Sequence, residues 1–276
     1  AFGLAEPWAW GIHLADFDPG LARKHGEVCR LARALEQDAK SELLHRVNRG
    51  CDELQKWVHQ QVSQRLDEGK IVGIVGGDHS VPLGAMVAIG QRCREFGVLH
   101  IDAHADLRVA YEGFTHSHAS IMDNALREVS GLKKLVQVGI RDLCQAEATR
   151  IRTDPRVTTF FAHDLHARLC DGEAWSAVCR HIVAELPTDV YISLDIDGLD
   201  PPYCPHTGTP VPGGLAYAHL THLLVELLRQ GRRVLGFDIV EVAPPASYPE
   251  PGWDEWDANV GARLLMKLCA VALASQ

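Results

Sequence analysis

Six short, largely apolar runs constrain the fold of this chain more than any other feature of its sequence: Ile71 to Val75, Val98 to Ile101, Leu135 to Val138, Val157 to Phe161, Val190 to Leu194 and Val234 to Val240. Runs of this length without regular polar alternation are what strands buried on both faces display. The stretches between them suit crossover helices, which parallel strands require. The spacing therefore predicts a parallel α/β sheet. Ahead of it, Leu21 to Leu66 is free of Pro and has apolar residues three and four apart, which predicts two helices with a break near Asn48, Arg49 and Gly50. Pro201 to Gly214 is a Pro- and Gly-rich loop long enough to carry function.

With 276 residues, 46% of them hydrophobic, the chain can bury one sizeable core, so a single domain over 1–276 is expected. It begins at Ala1 without an initiator Met, as if inside a loop, and a missing N-terminal stretch is expected. The 27 Lys and Arg against 36 Asp and Glu give a net charge of -9, which argues against nucleic acid or an anionic membrane as partner and favours a cationic small molecule. Eight cysteines without a CxxC pair read as reduced thiols of a cytoplasmic protein. No apolar run approaches a membrane span in length.

In parallel sheets ligands bind beyond the carboxyl ends of the strands. There the first run leads into Gly76-Gly77-Asp78-His79-Ser80 and the second into Asp102-Ala103-His104-Ala105-Asp106. The fifth leads into Asp195-Ile196-Asp197-Gly198-Leu199-Asp200, and the sixth into Glu241. In extended backbone, residues two apart share a face, so Asp102, His104 and Asp106 are expected to converge, as are Asp195 and Asp197. So many carboxylates side by side would cost several kcal/mol without a counter-charge, and bound cations are the natural remedy. Four Asp and two His without Cys form a hard, oxygen-rich set that suits Mn or Mg, with His favouring Mn. Six ligands with bridging carboxylates fit a pair of ions roughly 3.5 to 4 Å apart, a spacing that lets water ionise near neutral pH.

Gly-Gly-Asp-His-Ser, Asp-Ala-His-Ala-Asp and Ser-Leu-Asp-Ile-Asp-Gly-Leu-Asp-Pro, in that order, resemble the three signature blocks of the ureohydrolase (arginase and agmatinase) family, and the likeness runs from about Lys70 to the C-terminus. The resemblance implies a three-layer α/β/α sandwich with a mostly parallel central sheet. It implies two Mn2+ ions per chain, one on His79, Asp102, Asp106 and Asp195 and the other on Asp102, His104, Asp195 and Asp197. His118 resembles a proton-shuttling histidine, with His116 as its rival, and Glu241 resembles the carboxylate that receives the guanidinium. Thr209 lies in a loop similar to one near the substrate. A homo-oligomer, trimer or hexamer, is implied as well.

A guanidinium resists attack by water, so hydrolysis needs an activated nucleophile, fixed orientation and a proton for the departing amine. The resemblance assigns the orientation to Glu241 and the proton transfers to Asp106 and His118. Asp78, Asp200 and Asp238 are expected to orient loops or ligands. The substrate is less constrained. Arg108 stands where arginine-cleaving members have an Asn, and Cys144 stands where they have an Asp, so agmatine is expected ahead of arginine, guanidinobutyrate or formiminoglutamate. Two readings of Arg108 stay open: a structural pair with an acid such as Glu112, or a partner for a substrate carboxylate.

Overall fold

A computed structural model of the chain describes residues 7–16, 18–37, 41–243 and 255–276. All six apolar runs are strands: β1 (Val72–Val75), β2 (Phe96–Ile101), β3 (Leu132–Ile140), β4 (Val157–Phe161), β5 (Asp189–Asp195) and β6 (Arg233–Val240). They form one sheet in the order β1-β6-β5-β2-β3-β4. Every strand pairing is parallel, where the resemblance implied only a mostly parallel sheet.

The helices are α1 (Pro19–Gln37), α2 (Ser41–Asp67), α3 (Leu83–Gly90), α4 (Ile121–Glu128), α5 (Gln145–Thr153), α6 (Ala162–Cys170), α7 (Trp175–Ala184), α8 (Tyr217–Arg229) and α9 (Trp256–Ala274). On one face of the sheet Leu165, Ile182, Leu223 and Leu264, from α6 to α9, pack on Leu99, Val138, Ile192 and Ile239. On the other, Met86 of α3 and Met122 of α4 pack on Val98, Leu135 and Tyr191. Helices therefore cover both faces, and each fully buried Leu or Ile stabilises this three-layer arrangement by roughly 1.5–3 kcal/mol.

The helical stretch before β1 differs from its expected form. Asn48, Arg49 and Gly50 lie within α2; α1 ends at Gln37 and α2 begins at Ser41, and residues 38–40 lie outside the described residues. Gly50 permits close packing of the two helices, since a Cβ there would sit 2.5 Å from Val28 Cγ2.

The chain runs outward from β2 to β3 and β4, then returns to place β5 on the other side of β2 and continues to β6. The reversal between β2 and β5 opens a crevice at their carboxyl ends, where parallel sheets bind ligands. Asp102 directly follows β2, and Asp195 ends β5.

Candidate metal centre

Each candidate ligand reaches the crevice by a local device. Beyond β1, Gly76 and Gly77 take φ of +85° and +79°, a left-handed turn that glycine adopts without strain, and His79 follows with 1% exposure. Beyond β2, His104 forms an isolated parallel bridge with Asp142, but Asp106 has φ +53°. Asp106 therefore arrives through a left-handed turn rather than through strand alternation. Asp197 departs from the pleat too. It lies on a short 3-10 turn, Ile196–Gly198, with its N–H donating to Asp195 Oδ1 at 2.9 Å and its own Oδ1 accepting from Ala103 N at 3.0 Å. The six residues still converge, in two groups that share Asp102.

In the first group His79 Nδ1 lies 2.9 Å from Asp102 Oδ2, 3.2 Å from Asp106 Oδ2 and 3.3 Å from Asp195 Oδ2. On its other side His79 Nε2 is 2.9 Å from Ser193 Oγ, and that hydroxyl donates to Asp238 Oδ1 at 3.1 Å. With its proton committed to Asp238, Ser193 accepts from Nε2–H. For a neutral imidazole this leaves the Nδ1 lone pair facing three buried carboxylate oxygens, and Nδ1 has no hydrogen-bond partner. A cation is what such an arrangement requires. In the second group His104 Nδ1 is 3.1 Å from Asp197 Oδ2 and 3.4 Å from Asp102 Oδ1. The donor set of carboxylates and imidazoles fits a pair of hard divalent ions.

The protonation equilibria report the same deficit of positive charge. Burial pushes Asp106 up to about 7, with the charge of Asp102 adding to it. Burial, with Asp197 and Asp102 beside it, raises Asp195 well above the usual carboxylate range, and burial with Asp102 raises Asp197. Burial opposes charge on the two imidazoles, yet the carboxylates outweigh it, lifting His104 to about 11 and His79 well above its ordinary value. Asp102 alone is lowered: burial works against its ionisation, but His100, His104 and His79 hold it charged. Protons thus stand where metal charge would otherwise sit.

Beneath the candidate ligands runs a row of polar side chains, of which sequence reasoning singled out only Asp238, as a residue expected to orient loops or ligands. Asp238, Ser193, His100, Gln137 and Thr159 occupy one register position across β6, β5, β2, β3 and β4. Thr159 Oγ1 donates to Gln137 Oε1 at 2.9 Å, which orients the amide so that Gln137 Nε2 donates to His100 Nδ1 at 3.0 Å and to Ala105 O at 2.7 Å. His100 must then carry its proton on Nε2, from which it donates to Asp102 Oδ2 at 2.8 Å. Ligand-capable atoms of His79, His100, Asp102 and Asp106 lie within 4.8 Å of one another, a grouping that includes His100 and omits Asp195. Both ring nitrogens of His100 are engaged, however, so it orients Asp102, whereas Asp195 Oδ2 points at the open Nδ1 of His79. The signal was present: Ser193 and His100 each stand two residues before a candidate ligand, Asp195 and Asp102.

Glu241 directly follows β6 and has φ +59°, a strained conformation for a residue with a long side chain. Its Oε1 accepts from His79 N at 2.9 Å, its backbone O accepts from Thr207 Oγ1 at 2.9 Å, and burial raises its pKa. Thr209 is exposed, and Thr207 is the residue of that loop that bonds to Glu241. His118 is exposed, edge-on to the Tyr111 ring at 6.1 Å, while its rival His116 pairs with Asp52 at 2.7 Å. Asp200 Oδ1 accepts from Gly213 N and Gly214 N, and Asp78 Oδ1 accepts from Ser80 N, so both orient loops.

Arg108 does not pair with Glu112. Its Nε lies 3.5 Å from Glu147 Oε2, and its guanidinium sits 4.7 Å from the centre of the Tyr111 ring. Glu147 is buried at the start of α5 and also accepts from Leu107 N and Cys144 N, which fixes its carboxylate in place. Arg108 and Cys144 line a cavity of about 600 Å³ whose walls include none of the six candidate ligands.

Comparison with known proteins settles the lineage, since residues 29–270 match the profile of the Arginase family. The chain belongs to the arginase family. It is 37% identical over 198 residues to an N(1)-aminopropylagmatine ureohydrolase of Thermus thermophilus, an alignment covering 72% of this chain and 64% of that relative. It is 32% identical over 202 residues to an arginase of Staphylococcus aureus, covering 68% of this chain and 65% of the relative. Against these arginase-family relatives the chain thus spans just under two thirds of their length. Among solved structures, the agmatine ureohydrolase of Thermoplasma volcanium superposes with a TM-score of 0.64 at 28% identity, covering 81% of this chain and 70% of the other.

Proposed function

We propose that this arginase-family chain is a manganese-dependent ureohydrolase that splits a small guanidino compound into urea and an amine, with agmatine as substrate. The observation that carries the reading is the Nδ1 lone pair of His79 set against Asp102, Asp106 and Asp195, with His104 and Asp197 forming a second group on the same Asp102. His79, Asp102, Asp106 and Asp195 would hold one Mn2+, and Asp102, His104, Asp195 and Asp197 would hold the other. When bound, the metals supply Lewis-acid activation of water.

The protein supplies the rest. Glu241 spends Oε1 on His79 N, so Oε2, beside Gly208, is the atom that receives the guanidinium. Water adds to the guanidinium carbon and the bond to the alkyl nitrogen breaks, giving urea and a protonated amine. The Asp106 carboxylate takes a proton from the water and passes it to the departing nitrogen, and the second proton of that water completes the protonated amine. Exposed His118 exchanges protons with solvent.

Arg108, engaged by Glu147 and Tyr111, is withdrawn from the role of carboxylate receiver, which favours a substrate without a carboxylate. N(1)-aminopropylagmatine is a second reading, favoured by the name of the 37% identical relative. A cytoplasmic setting is supported by eight free thiols, and no helix among the described residues is long and apolar enough to cross a membrane. We further read the chain as one domain and the working form as a homo-oligomer. The test is urea release from agmatine, N(1)-aminopropylagmatine, arginine and guanidinobutyrate, with formamide release from formiminoglutamate. Preference for the carboxylate-free substrates is expected; preference for a carboxylate-bearing one, or no turnover of any, overturns the reading.

A further inference from the structure

Glu241 combines a strained backbone with the task of aiming one carboxylate oxygen, so whatever fixes its main chain fixes the aim. Two tethers lie within the site: Glu241 N donates to Gly77 O at 3.0 Å, and Glu241 Oε1 accepts from His79 N. The others lead out of it to α9. Thr207 Oγ1 donates to Glu241 O, and the residue before Thr207 is held by a buried carboxylate on the first turn of α9. Asp257, 2% exposed, accepts from His206 Nδ1 through Oδ1 at 2.9 Å and from His206 N through Oδ2 at 3.0 Å. Next to Asp257, Trp256 Nε1 donates to Pro202 O at 2.9 Å, fastening the same loop at a second point. One helical turn further on, α9 presents Gly261 to Val242, the residue after Glu241; a Cβ on Gly261 would sit 3.1 Å from both Val242 methyl carbons.

We propose that the Asp257–His206 pair is a positioning device for Glu241: α9 grips His206, His206 sets Thr207, and Thr207 holds the carbonyl of the residue that receives the guanidinium. The proposal rests on the assignment of Glu241 to the substrate. A bidentate grip on one residue, ring and backbone together, removes both the translation and the rotation of the loop at that point. Displacing a substrate-orienting carboxylate by a fraction of an ångström weakens productive binding while leaving the metal ligands where they are. His206 and Asp257 are not among the candidate metal ligands, and the route proposed from them to the site runs through Thr207 and Glu241.

The experiment compares wild type with His206→Ala, His206→Asn and Asp257→Ala, each loaded with manganese. Three quantities are measured: metal content, KM and kcat for agmatine, and hydrogen exchange in peptides spanning 205–209 and 239–243. Asn places an N–H where the imidazole has one, so His206→Asn restores the bond to Asp257. Metal content stays at the wild-type level throughout. KM rises about tenfold in His206→Ala and further in Asp257→Ala, which loses both bonds, and stays near wild type in His206→Asn. Exchange quickens in both peptides in the same order. A merely stabilising pair would lower the melting temperature of both alanine variants without changing KM or the 239–243 peptide, and that result overturns the proposal. If wild type turns over no guanidino compound while exchange follows the stated order, the assigned activity fails and the clamp stands. Normal turnover with exchange at 239–243 unchanged in both alanine variants sinks the clamp alone.

Discussion

The backbone N–H of His79 donates to Glu241 Oε1 across 162 residues of sequence, at 2.9 Å, and so ties the first candidate metal ligand to the candidate guanidinium receiver. One hydrogen bond therefore links the proposed metal position to the proposed substrate position. Glu241→Gln keeps an oxygen for His79 N but removes the charge. Its catalytic efficiency is expected to fall by about 2 kcal/mol, roughly thirtyfold, the scale of one charge-assisted hydrogen bond, with metal content intact. Metal loss in this variant would show that Glu241 belongs to the metal shell instead.

The polar row under the site makes a separate claim. Thr159→Val removes the donor that orients Gln137, and Gln137→Leu removes the donor that fixes the tautomer of His100. Metal affinity is expected to drop by about tenfold in the first and up to about a hundredfold in the second, the range known for groups that orient metal ligands. Titration with manganese measures this. Unchanged affinity in both variants would mean that Asp102 is positioned without the row.

Arg108→Ala is expected to leave the order of preference among guanidino substrates unchanged and to cost less than about 1 kcal/mol of stability, because Arg108 is 37% exposed and its ion pair with Glu147 is screened. Chemical denaturation and a substrate panel check both parts. A collapse of activity confined to carboxylate-bearing substrates would restore Arg108 to the binding site.

Much of this was legible in the sequence, and the part that was not has physical causes. Continuous apolar runs located all six strands because a strand buried on both faces has no polar face to blur the pattern. The candidate ligands were legible because Asp and His clustered at strand ends are costly without a cation. Their convergence was expected for a partly wrong reason: Asp106 and Asp197 arrive through a left-handed residue and a 3-10 turn, and backbone turns of that kind leave little trace in residue type. The α2 boundary was missed because Gly50 serves packing against Val28, a tertiary cause invisible to local pattern. Glu147, the partner of Arg108, lies 39 positions away on another element, beyond any local search.

Metal uptake should release protons. In the metal-free protein His104, raised to about 11, is protonated at neutral pH, and Asp106, raised to about 7, is partly so. A raised pKa means that the proton is held below that value and must be displaced by the ion, so competition weakens and apparent affinity increases as pH rises from about 6 to about 9. Calorimetric titration with manganese in two buffers of different ionisation enthalpy counts the protons released. Affinity independent of pH over that range, with no proton release, would contradict the charge balance described for the site.

The central claim is a pair of metals sharing Asp102 and Asp195, and metal stoichiometry tests it most directly. Elemental analysis of manganese-loaded, desalted protein is expected to give two ions per chain for wild type, with Asp195→Ala losing metal at both positions together with its activity. One ion or none in wild type, or Asp195→Ala with full metal content and full activity, would contradict it.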